Sequence, residues 1–192
     1  MARHKEFDYS DKLTIARNLF WEKGYNATSL NDLVDAMKIN RSSLYLTYGS
    51  KHELFLKCLN NYIQDKEKEY QKSVEKGETP LKSVANLIRT ITQNVLQDSK
   101  TCLSANSTFE LARTDNEVKK MLEKQALTSV RLIEELLTQA KESGELKSYK
   151  EPKILAHFIV SSIASIWSTH LLFSNDKLTR QTAEFLIETI TQ

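Results

Sequence analysis

An all-α fold follows from three features of the 192-residue chain. Apolar residues recur at helical spacing through most of its length, no alternating strand pattern of useful length interrupts them, and glycine and proline fall only between the periodic runs. Gly24, Gly77 and Gly144 each follow such a run, where a left-handed C-terminal cap is wanted, and Gly49 sits just ahead of another. Pro80 and Pro152 stand where a helix can begin without losing an amide hydrogen bond.

Nine helices are predicted. The first, 9–23, carries Leu13, Ala16 and Phe20 on one face. The second, 30–38, places Leu30, Leu33, Val34 and Met37 on one side and is opened by Ser29 and Asp32, a reciprocal capping pair. A short third helix, 41–47, takes Asn40 as its N-cap. Ser50 and Glu53 open a long fourth helix through Leu54, Cys58, Leu59 and Tyr62, which ends in the charged, solvated stretch 66–78. Helices 80–97, 103–113, 115–141 (opened by Thr114 and Glu117), 152–173 and 176–190 complete the chain. The reading divides it into a head, 1–50, and a helical body, 51–192.

Composition narrows the function classes. Cys58 and Cys102 are too few and too far apart for a disulfide framework or a zinc site, which fits a reducing compartment. The first residues are charged and lack an apolar signal core, and no stretch reads as a membrane span, so a cytoplasmic protein is expected. No Gly-rich phosphate loop, paired metal ligands or nucleophile motif is present, which argues against an enzyme and for no cofactor or metal. Net charge is only +2. Its distribution is more telling, because residues 36–52 contain no acidic side chain and carry Lys38, Arg41 and Lys51.

That basic window coincides with two short helices spaced as a helix-turn-helix. Leu44 and Tyr48 share one side of the second helix, leaving Ser42, Tyr45 and Leu46 on the other, flanked by Arg41 and Ser43. Such a face suits a major groove: serines bond either partner on a base edge, Arg41 forks onto guanine or phosphate, and Leu46 meets a thymine methyl. Thr28, Ser29, Tyr45, Thr47 and Lys51 are candidates for phosphate contacts. The competing reading is a helical interaction or dimerisation module in which Leu44, Tyr45 and Tyr48 are ordinary core.

The run GYNATSLNDLVDAMKINRSSLYLTYGSKHELF, within essentially the first 60 residues, resembles the DNA-binding domain of TetR-family bacterial regulators. Gly24, Tyr25, Thr28, Ser29, Leu33, Leu44, Tyr45, Tyr48, Ser50 and Lys51 carry the resemblance. It implies a homodimer on near-palindromic operator DNA, usually a repressor, that lets go when its C-terminal domain binds a small molecule. Two positions depart from the family pattern: Lys38 stands at a turn position commonly glycine, and Leu46 where relatives often have a polar or aromatic residue.

For the body, the resemblance implies a bundle around an effector cavity, with the last two helices pairing across a dimer. Leu155, Phe158, Ile159, Ser162, Ile163, Ile166 and Trp167, with Phe185, Leu186 and Ile190, form stripes broad enough for both a core and a partner face. The segment 101–112 resembles the start of the sixth helix in one subgroup with a Cys-Leu motif, some members of which sense electrophiles or oxidants; Thr101 replaces the subgroup's glycine. Cys102 would lie at a helix N-terminus near Lys100, surroundings that favour thiolate chemistry, with burial as a small hydrophobe the alternative. A neutral or aromatic effector is the other reading, among Tyr62, Phe109, Phe158 and Trp167, with Asn106 or His170 as polar handle.

Overall fold

In a computed structural model, which describes residues 9–97, 100 and 102–192, nine α-helices and no strand are found among the described residues. They are α1 (Tyr9–Lys23), α2 (Leu30–Met37), α3 (Arg41–Tyr48), α4 (Lys51–Val74), α5 (Pro80–Gln97), α6 (Leu103–Leu111), α7 (Asn116–Glu142), α8 (Pro152–Phe173) and α9 (Asp176–Thr191). The charged segment before Tyr9 and the Thr101 departure lie outside the described residues.

Local chemistry sets most of these boundaries. Ser29 caps α2 reciprocally with Asp32, Asn40 accepts from the Ser43 amide at the start of α3, and Ser50 and Glu53 exchange bonds at the start of α4. The opening of α7 differs from the sequence reading. Asp115, not Thr114, is its cap: Oδ1 accepts from the amides of Glu117 and Val118, while the Thr114 hydroxyl turns back to the Leu111 carbonyl. A carboxylate is the stronger acceptor for helix N-terminal amides.

The chain forms two compact units. The first comprises residues 1–64 and 102–119. In it Phe20, Leu33, Met37, Leu44, Leu54, Phe55 and Leu59 are fully or almost fully buried, and Phe20 meets Phe55 edge-on with centroids 5.1 Å apart. Cys58 is core here, its thiol pKa pushed up to about 12 by burial. The second unit comprises residues 65–101 and 120–192, and α5, α8 and α9 pack on one another within it. Its core includes Leu87, Ile88, Ile91, Ile133, Leu137, Ile159, Ile166, Leu186 and Ile190.

One feature of α8 departs from the sequence reading. By length and composition alone the helix is apolar enough to cross a membrane. Only 22% of that apolar stretch is buried in the monomer, so the helix buries Ala156, Ile159, Ile166 and Trp167 and leaves a second apolar face uncovered. Ile154, Phe158, Leu171, Leu172 and Phe173 on α8, with Phe185 on α9, are exposed.

Candidate nucleic-acid interface

The turn between α2 and α3 is set by Lys38, whose backbone is left-handed (φ 51, ψ 51) and whose amide donates to carbonyls at the end of α2. A lysine there carries the strain that glycine would avoid. From α1, the Lys12 ammonium donates to the Met37 carbonyl at 2.5 Å, satisfying another acceptor at the same helix end. Leu33 and Met37 of α2 and Leu44 and Tyr48 of α3 are buried, and the Tyr48 hydroxyl donates to the Tyr9 carbonyl at 3.1 Å. The inner side of α3 is thus anchored along its length.

Its other side faces solvent. Arg41, Ser42, Tyr45 and Leu46 are exposed, Leu46 at 88%, while Ser43 and Thr47 are half-buried. The Arg41 guanidinium donates to Asn31 Oδ1 at 2.6 Å, tying the start of α3 to α2. Ser29 is exposed beside the amides at the start of α2.

Two positions sit otherwise than the sequence reading expects. Thr28 is fully buried and its hydroxyl donates to the Gly24 carbonyl at 2.6 Å, so its side chain closes the loop and presents nothing to a phosphate. Lys51 is half-buried, its ammonium 4.3 Å from the centre of the Tyr25 ring; burial pushes its pKa down, against the opposing pull of Glu110 and Asp32.

The sequence-selected effector residues divide between the units. Cys102, Asn106 and Phe109 are in the first, where Cys102 stands at the N-cap of α6 without a side-chain capping bond and its sulfur accepts from the Tyr62 hydroxyl at 3.5 Å. Asn106 is half-buried and Phe109 is 83% exposed, which does not suit Phe109 as a cavity wall within its unit. Phe158, Trp167 and His170 are in the second unit. Phe158 is exposed, Trp167 is buried, and His170 Nδ1 lies 3.3 Å from the Thr179 hydroxyl and 3.9 Å from Asp176. An open groove of about 540 Å³ between α4 and α7 is lined by Tyr70, Thr128 and Leu132 among others, and by none of the selected residues. Among the described residues no group of three His, Cys, Asp or Glu side chains is placed to hold a metal ion.

Sequence reasoning missed a polar cluster in the first unit. Glu110 of α6 accepts from the backbone amides of Tyr25 and Asn26, and Asp115 lies 2.6 Å from His52 Nε2. Partners 63 to 85 residues apart leave no periodic signal.

Residues 13–58, which include this interface, match the family described as bacterial regulatory proteins, tetR family, and residues 77–186 match the tetracyclin repressor-like C-terminal domain. The chain belongs to the TetR family. The HTH-type transcriptional regulator YezE of Bacillus subtilis is 38% identical over 76% of this chain and 76% of its own. The transcriptional repressor ComR of Escherichia coli is 27% identical over 82% of this chain and 77% of its own. Among solved structures, the TetR-family regulator CifR, a cysteine mutant complexed with 26-base-pair double-strand operator DNA, superposes with a TM-score of 0.86 at 23% identity, over 97% of this chain and 98% of that one. A TetR regulator from Chloroflexus aurantiacus gives 0.89 at 15% identity, covering 95% and 93%. At these identities the structures speak for the fold. The two family matches and YezE make this chain a DNA-binding transcriptional regulator and not an enzyme.

Proposed function

We propose that this TetR-family chain is a cytoplasmic, dimeric repressor. Its head, residues 1–50, binds a near-palindromic operator, and its body, residues 51–192, releases that grip when a small molecule binds or Cys102 is modified. The observation that carries the reading is the two-sidedness of α3: Leu44 and Tyr48 are buried while Arg41, Ser42, Tyr45 and Leu46 are offered to solvent. In the groove, Arg41, Ser42, Ser43 and Leu46 read base edges, and Ser29, Tyr45, Thr47 and Lys51 hold phosphates. Dimerisation through α8 and α9 is supported by the exposed apolar side chains of those two helices. Repression is supported by ComR, a named repressor.

The test is a salt-titrated binding series on the duplex flanking the protein's own gene, against a random duplex. A regulator of this kind shows a steep fall of affinity with salt and a site-specific surplus. Equal affinity for both duplexes contradicts it. Cysteine sensing is tested separately: Cys102→Ser is expected to keep operator binding and to lose release by a mild oxidant or alkylating agent, and unchanged release removes that part of the reading.

A further inference from the structure

Gly24 ends α1 with its amide on the Phe20 carbonyl and adopts a left-handed backbone (φ 82). The turn that follows aims two successive amides, of Tyr25 and Asn26, at one point, the geometry of an anion-binding nest. That nest is filled by a carboxylate from elsewhere in the same unit: Glu110 Oε2 accepts from Tyr25 at 3.1 Å and Oε1 from Asn26 at 2.7 Å. A Cβ on residue 24 would stand 3.1 Å from Oε2, so glycine supplies the backbone conformation and the room for the carboxylate together.

The loop held in this way is short and leads straight into the reading head. Thr28 closes it onto Gly24, and Ser29 then caps α2, to which the Arg41 guanidinium of α3 is bound through Asn31. Five residues beyond Glu110, Asp115 uses one oxygen to cap α7 and the other to hold His52 of α4, whose Nδ1 also lies 3.6 Å from Glu117. Lys51, next to His52, lies over the Tyr25 ring. The end of α6 and the turn after it therefore hold this unit at two places, Glu110 on the α1–α2 loop and Asp115 on His52 of α4.

We infer that Glu110 is a positioning residue for operator reading: by occupying the nest at Tyr25 and Asn26 it fixes the α1–α2 loop, and with it the placement of α2 and α3 against DNA. The inference rests on the DNA-binding reading above and deepens it, since it names an α6 residue on which that binding depends. Glu110 touches no nucleotide itself. Its effect falls on discrimination between duplexes, because base-edge contacts need exact placement of α3 whereas attraction to phosphate tolerates displacement.

The full-length protein and its Glu110→Ala and Glu110→Gln variants are compared on the cognate duplex and on a random duplex. Thermal unfolding and amide hydrogen exchange at Tyr25 and Asn26 are measured on the same samples. For Glu110→Ala the cognate affinity falls roughly three- to thirtyfold, random-duplex affinity and the salt slope stay as in the wild type, and the two amides exchange faster. Glu110→Gln, which keeps one carbonyl acceptor for a nest amide, lies between the two. Faster exchange with an unchanged cognate-to-random ratio overturns the inference, as do wild-type exchange rates in Glu110→Ala. A matched loss on both duplexes with a lower unfolding midpoint also overturns it, since that marks a role in stability alone. A wild-type protein without any site-specific surplus overturns the DNA-binding reading first and this inference with it, a pattern distinct from failure of the variants alone.

Discussion

Lys38 holds the α2–α3 turn in a left-handed backbone conformation that glycine would adopt with less strain. The turn pattern requires a left-handed residue, lysine is present, and its backbone adopts φ 51 all the same. Lys38→Gly should therefore raise stability by about 0.5–1 kcal/mol, the relief of left-handed strain less the entropy that glycine costs, as read by urea unfolding. Leu44, fully buried behind the reading face, lies at the other extreme: Leu44→Ala should cost about 2–5 kcal/mol in the same assay. On DNA, Arg41→Ala should weaken the cognate site by about 1–3 kcal/mol, and Lys51→Ala should weaken all duplexes alike and lower the salt slope by about 1. Inward and outward positions of α3 were legible because helical periodicity separates them. Thr28 was not, because its hydroxyl bonds a carbonyl four residues back instead of facing solvent, and residue type alone does not distinguish those uses.

Helix boundaries were legible wherever a cap lies close in sequence, as at Ser29, Asn40 and Ser50. Thr114 and Asp115 are both competent to cap α7, and only the fold shows which side chain faces the amides. The caps also predict a pH response. Hydrogen bonds from Ser29 hold the Asp32 carboxyl far below the usual carboxylate range, and bonds from Ser50 lower that of Glu53. Carboxyls with a depressed folded pKa stabilise the native state above their unfolded pKa of about 4, and that contribution is lost as pH falls through the folded value. Acid unfolding followed by circular dichroism should thus show a loss of stability beginning below about pH 5, shallower in Asp32→Asn and Glu53→Gln. Variants with the wild-type slope would show that these caps do not set the acid response.

For the molecule as a whole, the all-helical fold and the TetR-family head were visible in sequence, because short-range periodicity and a compact motif encode them. The use of α8 was only half visible. Apolar periodicity marked the helix, but an apolar residue reads alike whether it meets its own core, as Ile159 does, or stays uncovered, as Leu172 and Phe173 do. The cluster of Glu110, Asp115 and His52 was invisible for a related reason, since polar contacts between distant segments depend on the tertiary fold. If α8 and α9 pair across a dimer, Leu172→Glu and Phe185→Glu should yield a folded monomer by analytical ultracentrifugation with weakened operator binding; a dimer unaffected by both changes would place the interface elsewhere. All of this depends on α3 entering a duplex. A footprint of the purified protein on the DNA upstream of its own gene probes that directly. Two symmetric protected patches on one face of the helix, with centres roughly 34 Å apart and lost in Arg41→Ala, are expected. Protection that is absent, or uniform along the fragment and indifferent to that substitution, would contradict it.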